Sequence, residues 1–178
     1  MKFLVLGCGM QGRAVIYDLL QSSDVQSVLA ADVDLSGVEG DPLLQDDRFS
    51  QKVCDATNET ALKSILEERF DVVVDMLPVP FARPVAQVAI AEGVHMVNSN
   101  YGKDVYDLHE KAKSAGVTLF PECGLDPGID LILCGEMLRY FDEIYELNSY
   151  GGGLPEPSSA DNLLQYKITW TYEGVLKS

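Results

Sequence analysis

The residues best placed to do chemistry lie at the start of the chain. Gly7, Cys8, Gly9, Met10, Gln11 and Gly12 form a G-x-G-x-x-G run. Such a run is a weak signal alone, and its context gives it meaning. It follows an apolar, β-rich segment, Lys2 to Leu6, and opens a segment with helical spacing, Gly12 to Leu20. In that setting Gly7 permits a tight turn, Gly9 lets backbone approach a ligand, and Gly12 lets a helix pack closely on a strand. The helix start supplies unpaired N–H groups and a partial positive charge. The chemistry implied is the binding of a dinucleotide's diphosphate.

A second group supports this reading. Asp32 lies 20 residues beyond Gly12 and closes the apolar run Ser27 to Ala31. A carboxylate there accepts hydrogen bonds from ribose hydroxyls and repels a 2′-phosphate. Val33 and Asp34 follow, with no arginine to receive a phosphate. The expected cofactor is therefore NAD rather than NADP. The competing reading of Asp32 is a solvated turn acid. Asp55, just after a third short run, either approaches the adenine or closes a turn, and both readings stand. Leu77 and Pro78 end another apolar run and are expected beside the nicotinamide. Cys8, Cys54, Cys123 and Cys134 show no C-x-x-C spacing, and His95 and His109 are the only histidines. No metal site is expected, and the thiols are read as free and mostly buried. His95 is read as strand-edge structure and His109 as an exposed helical residue.

The elements that must position these groups alternate in type. Apolar runs at Lys2–Leu6, Ser27–Ala31, Gln51–Cys54, Asp71–Leu77, His95–Val97 and Val117–Phe120 predict strands. Helical spacing predicts helices over Gly12–Leu20, after a cap at Asn58, over Phe81–Glu92 before Gly93, and over Asp104–Ala115 before Gly116. Strands alternating with helices imply parallel pairing through right-handed crossovers. Continuous apolar strands fit a sheet covered on both faces. The fold class is α/β, a Rossmann-type doubly wound parallel sheet. Beyond Phe120 the texture changes to a glycine- and proline-rich turn, a helix from about Ile129 to Phe141, and alternation over Glu143–Tyr150 and Tyr166–Tyr172 that predicts strands. Residues 1–122 are thus read as the dinucleotide domain. Residues 123–178 are read as the truncated beginning of an α+β substrate or dimerisation domain. Its unfinished sheet would expose an edge, so self-association into a homo-oligomer is expected.

Composition narrows the class. The net charge is −15, from 28 acidic and 13 basic residues. That disfavours binding to nucleic acid or to anionic membranes. No apolar run approaches the roughly 20 residues of a membrane span. The opening Lys2 to Leu6 faintly resembles a signal peptide, but glycines interrupt it and no cleavage site follows. The expected location is cytoplasmic.

Three segments carry a resemblance. They are Gly7 to Ala14, Pro121-Glu122-Cys123-Gly124-Leu125-Asp126-Pro127-Gly128-Ile129-Asp130, and Gly151-Gly152-Gly153-Leu154-Pro155-Glu156-Pro157. Together they resemble the saccharopine dehydrogenase (glutamate-forming) family, with lysine 6-dehydrogenase and carboxynorspermidine dehydrogenase as similar relatives. Asn162 to Trp170 and Glu173 to Leu176 extend the match. The resemblance implies an oxidoreductase acting on the CH–NH group of an amino acid of the saccharopine or lysine type. A hydride passes to a nicotinamide, and water hydrolyses the resulting imine. An acid–base group must then stand near the amine. Asp126, Tyr101 and Lys103 are the candidates, against helix capping for Asp126 and a plain surface role for Lys103. Cys123 is read as a packed thiol before a pocket-lining one. Members of the family are considerably longer, so a coenzyme-binding module without turnover, or an oligomer-stabilised fragment, stays open beside the enzyme reading.

Overall fold

The apolar runs become a parallel sheet because each strand feeds two hydrophobic layers at once. The computed structural model describes residues 1–153, 155–163 and 165. Its strands are β1 (Lys2–Leu6), β2 (Ser27–Asp32), β3 (Phe49–Val53), β4 (Val72–Asp75), β5 (His95–Asn98) and β6 (Leu119–Phe120). They pair in the order β3-β2-β1-β4-β5-β6, every pair parallel. Leu4, Leu29, Val73 and Met96 point into one buried cluster, while Val5, Val28, Ala30 and Val74 point into the other. Alternation along each strand divides one continuous apolar run between two faces.

Helices cover both faces. Helix α1 (Met10–Gln21) lays Ile16 and Leu20 on the cluster that holds Val5. Helices α2 (Glu59–Leu66) and α3 (Ala82–Glu92) supply Leu62, Ile65, Val85 and Ala89 to the opposite cluster. Asn58 caps α2 as expected, its side chain accepting from the Ala61 N–H at 3.2 Å. The strand order reverses between β1 and β4, which opens a crevice at the carboxyl edge of the sheet.

Three expectations are corrected. Asp104–Ala115 is not one helix: two 3-10 turns, Gly102–Asp104 and Tyr106–Leu108, precede a short α4 (His109–Ser114). Val105 sinks into the core with φ −127° and ψ −7°, which breaks the helical path. β4 stops at Asp75 rather than Leu77, because the Leu77 N–H turns back to the Asp75 carboxylate at 3.1 Å. Glu143–Tyr150 is not a strand. A strand exists only in a ladder, and among the described residues no segment pairs with this one. The strand predicted over Tyr166–Tyr172 lies outside the described residues.

The chain divides into two compact units, Met1–Leu133 and Cys134–Ser178. The first holds the whole sheet. Helix α5 (Ile129–Leu138) is apolar over most of its length and has no buried residue. The second unit's own described element is a 3-10 turn, Pro157–Ser159.

Ile16, fully buried, anchors the helix whose start faces the crevice. Ile16→Ala is expected to lower the unfolding free energy by about 3 kcal/mol in urea titration, through lost burial and the cavity left behind. Tyr17→Ala, at a half-exposed neighbour, should change it by less than about 0.5 kcal/mol.

Candidate functional site

The glycine loop connects β1 to α1 across the crevice. Gly7 has φ +93°, and a Cβ there would meet the Met76 carbonyl at 2.9 Å. Gly12 is buried, and a Cβ on it would overlap the Gly7 carbonyl oxygen. Both positions therefore exclude side chains. A Cβ on Gly9 would meet nothing within 4 Å, so this backbone faces open space, as a ligand-approach position should. Gly9 is the N-cap of α1, with no side-chain cap and no acid in the first turn. The amides of Met10, Gln11 and Gly12 thus have no intrahelical acceptor, while Met10 and Gln11 turn their own side chains outward. These are the features a diphosphate requires.

Asp32, at the end of β2, does more than the sequence suggested. Its Oδ2 accepts from the Cys8 N–H at 2.6 Å and its Oδ1 from the Asp34 N–H at 3.2 Å. The carboxylate fixes the glycine loop while standing half-buried at the crevice. Burial and the nearby Asp32 charge push the Cys8 thiol up to about 12, so Cys8 stays protonated. Gly37 escaped the sequence reading: a Cβ on it would overlap the Cys8 carbonyl. It lets the turn after β2 press against the glycine loop. Its only signal was a glycine soon after Asp32. Asp55 Oδ1 accepts from the N–H and hydroxyl of Thr57 at 2.9 and 2.6 Å.

On the other side of the crevice, β4 and β5 end in the only polar residues among the described buried set, Asp75 and Asn98. They face each other in register. Asp75 Oδ1 takes the Leu77 N–H, Asn98 Oδ1 takes the Asn100 N–H at 3.3 Å, and the Asn100 amide reaches the Leu77 carbonyl at 3.4 Å. The network holds the Met76–Pro78 turn, and Pro78 is exposed at its end. Sequence reasoning missed Asp75 because it reads as the polar end of a valine run.

Two catalytic candidates meet. The Tyr101 hydroxyl donates to Asp126 Oδ1 at 3.0 Å, and both side chains are accessible. That hydrogen bond, with Asp126's charge, raises the Tyr101 phenol above its ordinary range, so it stays a donor. The start of α5 is served instead by Asp130, whose Oδ1 takes the Gly128 N–H at 2.8 Å, so Asp126 is not spent as a cap. Lys103 is exposed and makes no hydrogen bond or ion pair among the described residues. Glu122, unremarked in the sequence, adopts φ +61° and accepts from the Gly102 N–H at 3.0 Å and the Tyr106 hydroxyl at 2.6 Å. It fixes the turn that carries Tyr101. Cys123 is exposed, not packed, although Cys8 and Cys54 are buried. His95 Nδ1 accepts from the Thr118 N–H at 3.0 Å, the structural role expected of it, and His109 is exposed at the start of α4.

Sheet order, crevice and glycine loop define a Rossmann-type domain equipped for a dinucleotide. The comparisons with known proteins then specify it. The family model for the saccharopine dehydrogenase NADP binding domain matches residues 3–120, and that for the saccharopine dehydrogenase C-terminal domain matches residues 124–178. The chain belongs to the saccharopine dehydrogenase family. It is 33% identical to the NADP(+), L-glutamate-forming saccharopine dehydrogenase of Saccharomyces cerevisiae, over 97% of this chain and 39% of that protein. It is 32% identical to the mitochondrial alpha-aminoadipic semialdehyde synthase of Mus musculus, over 98% of this chain and 19% of that protein. The solved apo structure of the yeast saccharopine dehydrogenase superposes with a TM-score of 0.82 at 32% identity, covering 98% of this chain and 40% of that one. The chain thus spans about two-fifths of its yeast relative's length.

Burial raises the Asp75 carboxyl from 3.8 to about 6, against the weaker opposing pull of the Leu77 N–H and the Asn98 amide. A carboxyl raised by folding favours the folded state below its unfolded value and loses that contribution as pH climbs through the folded one. Asp75→Asn, which keeps the acceptor for Leu77, is therefore expected to stabilise the protein by up to about 3 kcal/mol near pH 8. The difference from the parent should vanish near pH 4, as read by urea unfolding at both values.

Proposed function

We propose that this chain is the coenzyme-binding part of an oxidoreductase acting on the CH–NH group of an amino acid, of the saccharopine or lysine type, with NAD as the coenzyme. The observation that carries the reading is the joining of the glycine loop to Asp32 at the crevice, opposite the Tyr101–Asp126 pair at the same carboxyl edge. The loop amides and the start of α1 would hold the diphosphate, Asp32 the adenosine ribose, and the Met76–Pro78 and Ser99–Tyr101 turns the nicotinamide half. The coenzyme, when bound, supplies the hydride acceptor.

The chain's own residues then handle the proton. Asp126 has one oxygen engaged by Tyr101 and a second with lone pairs to offer. It is the group to accept a hydrogen bond, and then a proton, from a substrate amine. Tyr101, kept protonated by that carboxylate, orients it. Glu122 keeps Tyr101 in place. Lys103 has no part in this pair. A substrate's carboxylates need cationic partners, and within the cluster Glu122, Asp126 and Asp130 supply only negative charge.

The names of the matched domain and of the yeast relative both carry NADP. The preference for NAD rests on Asp32 alone, through repulsion of a 2′-phosphate. Calorimetric titration is expected to give an NAD dissociation constant at least tenfold below that for NADP, about 1.4 kcal/mol. Asp32→Asn keeps the acceptor for the Cys8 amide and removes the charge, so the ratio should collapse towards one. An unchanged ratio would mean that another group reads the ribose.

For the chemistry, NADH formation with saccharopine and with lysine is the direct assay. Asp126→Asn should reduce kcat at least a hundredfold where the parent turns over. It should also return the Tyr101 phenol towards its ordinary ionisation, seen as a lower midpoint in ultraviolet titration. Coenzyme binding without turnover on any amine would leave the chain a binding module.

A further inference from the structure

Asp75 is an expensive residue for its position. Its side chain has no exposed surface, and its Oδ2 makes no hydrogen bond. Its neighbours in register are Leu6 on β1 and Asn98 on β5, neither titratable. Alternation puts it on the sheet face of Val73. The groups that set its ionisation are its own burial, the Leu77 N–H and the Asn98 amide, with no charged side chain among them. A buried carboxylate without a counter-ion opposes folding, and an orphaned buried oxygen calls for an explanation. An asparagine would satisfy Leu77 equally well and carry no charge.

The residue's place suggests what the charge is for. Asp75 is the last residue of β4, beside the reversal of strand order, and it holds the turn that would border the nicotinamide half of the coenzyme. Oxidised nicotinamide is a cation and reduced nicotinamide is neutral. An unneutralised carboxylate beneath that edge, shielded from water, attracts the first and is indifferent to the second. We propose that Asp75 makes this site discriminate between the oxidation states of its coenzyme, holding the oxidised form more tightly than the reduced form. The inference rests on the coenzyme reading given above and extends it to a specificity-determining residue. The preference is reciprocal: the cation must also favour the ionised form of Asp75. Binding of the oxidised coenzyme near pH 6 therefore releases a proton, and binding of the reduced coenzyme does not.

The test titrates the full chain, parent and Asp75→Asn, with NAD⁺ and with NADH, using NADP⁺ and NADPH if that pair binds more tightly. At about pH 8 the ratio of reduced to oxidised dissociation constants is expected to be about tenfold higher in the parent, the scale of a unit charge pair about 12 Å apart at an effective dielectric of ~20. As pH falls to about 5 the parent's ratio should converge on that of Asp75→Asn, which should itself be flat with pH. A purely structural role would change both affinities together and leave their ratio alone. Equal ratios in parent and variant, with both coenzymes still bound, would overturn the proposal. Failure of the parent to bind any nicotinamide coenzyme would instead overturn the coenzyme reading, and this inference with it. If Asp75→Asn does not fold, the parent decides: a ratio constant from about pH 5 to about pH 8 refutes the proposal.

Discussion

A single carboxylate ties the glycine loop to the turn after β2. Asp32 Oδ2 accepts the Cys8 N–H at 2.6 Å, tying the end of β2 to the turn between β1 and α1. That bond fixes the loop in the shape that aims the first amides of α1 into the crevice. It also sets the direction of the carboxylate that would read a ribose. The turn after β2 can reach the same place because Gly37 lies against the Cys8 carbonyl. The glycine loop and Asp32, proposed above as diphosphate cradle and sugar reader, are one construction, held by charge-assisted hydrogen bonding.

The sheet separates two kinds of work along its length. Strand centres such as Val73 are wholly apolar and carry the stability. Polarity is admitted at the carboxyl ends, where Asp32, Asp75 and Asn98 turn loops back on themselves. Local strain and unsatisfied polarity collect there too, as in Glu122 at φ +61° and the orphaned Asp75 oxygen. Such features persist where the surroundings over-determine them, and they gather at sites of function.

At the far end of the sheet, the Tyr101–Asp126 bond joins the turn after β5 to the turn before α5 across 25 residues of sequence. Glu122 gives that turn a second tether through Gly102 and Tyr106. The Tyr101–Asp126 pair, proposed above for acid–base work, is built from long-range contacts, whereas the loop of Gly7 to Gly12 is local. The family match extends through residue 178, so the part of the chain that follows α5 shares the ancestry of the first part.

The sequence alone determined the alternation of strands and helices, the glycine loop, the acid 20 residues beyond it and the Asn58 cap. Each is set by local chemistry: side-chain periodicity, glycine's tolerance of φ +93°, and a carboxylate at a fixed distance along the chain. Tertiary structure decided the rest. It broke Asp104–Ala115 by drawing Val105 into the core, and among the described residues it left Glu143–Tyr150 without a ladder. It also brought Asp126 to Tyr101, left Lys103 apart from them, and buried Asp75 without a counter-ion. Those outcomes depend on which distant groups compete for the same hydrogen bond or the same buried volume, and no local pattern records that competition.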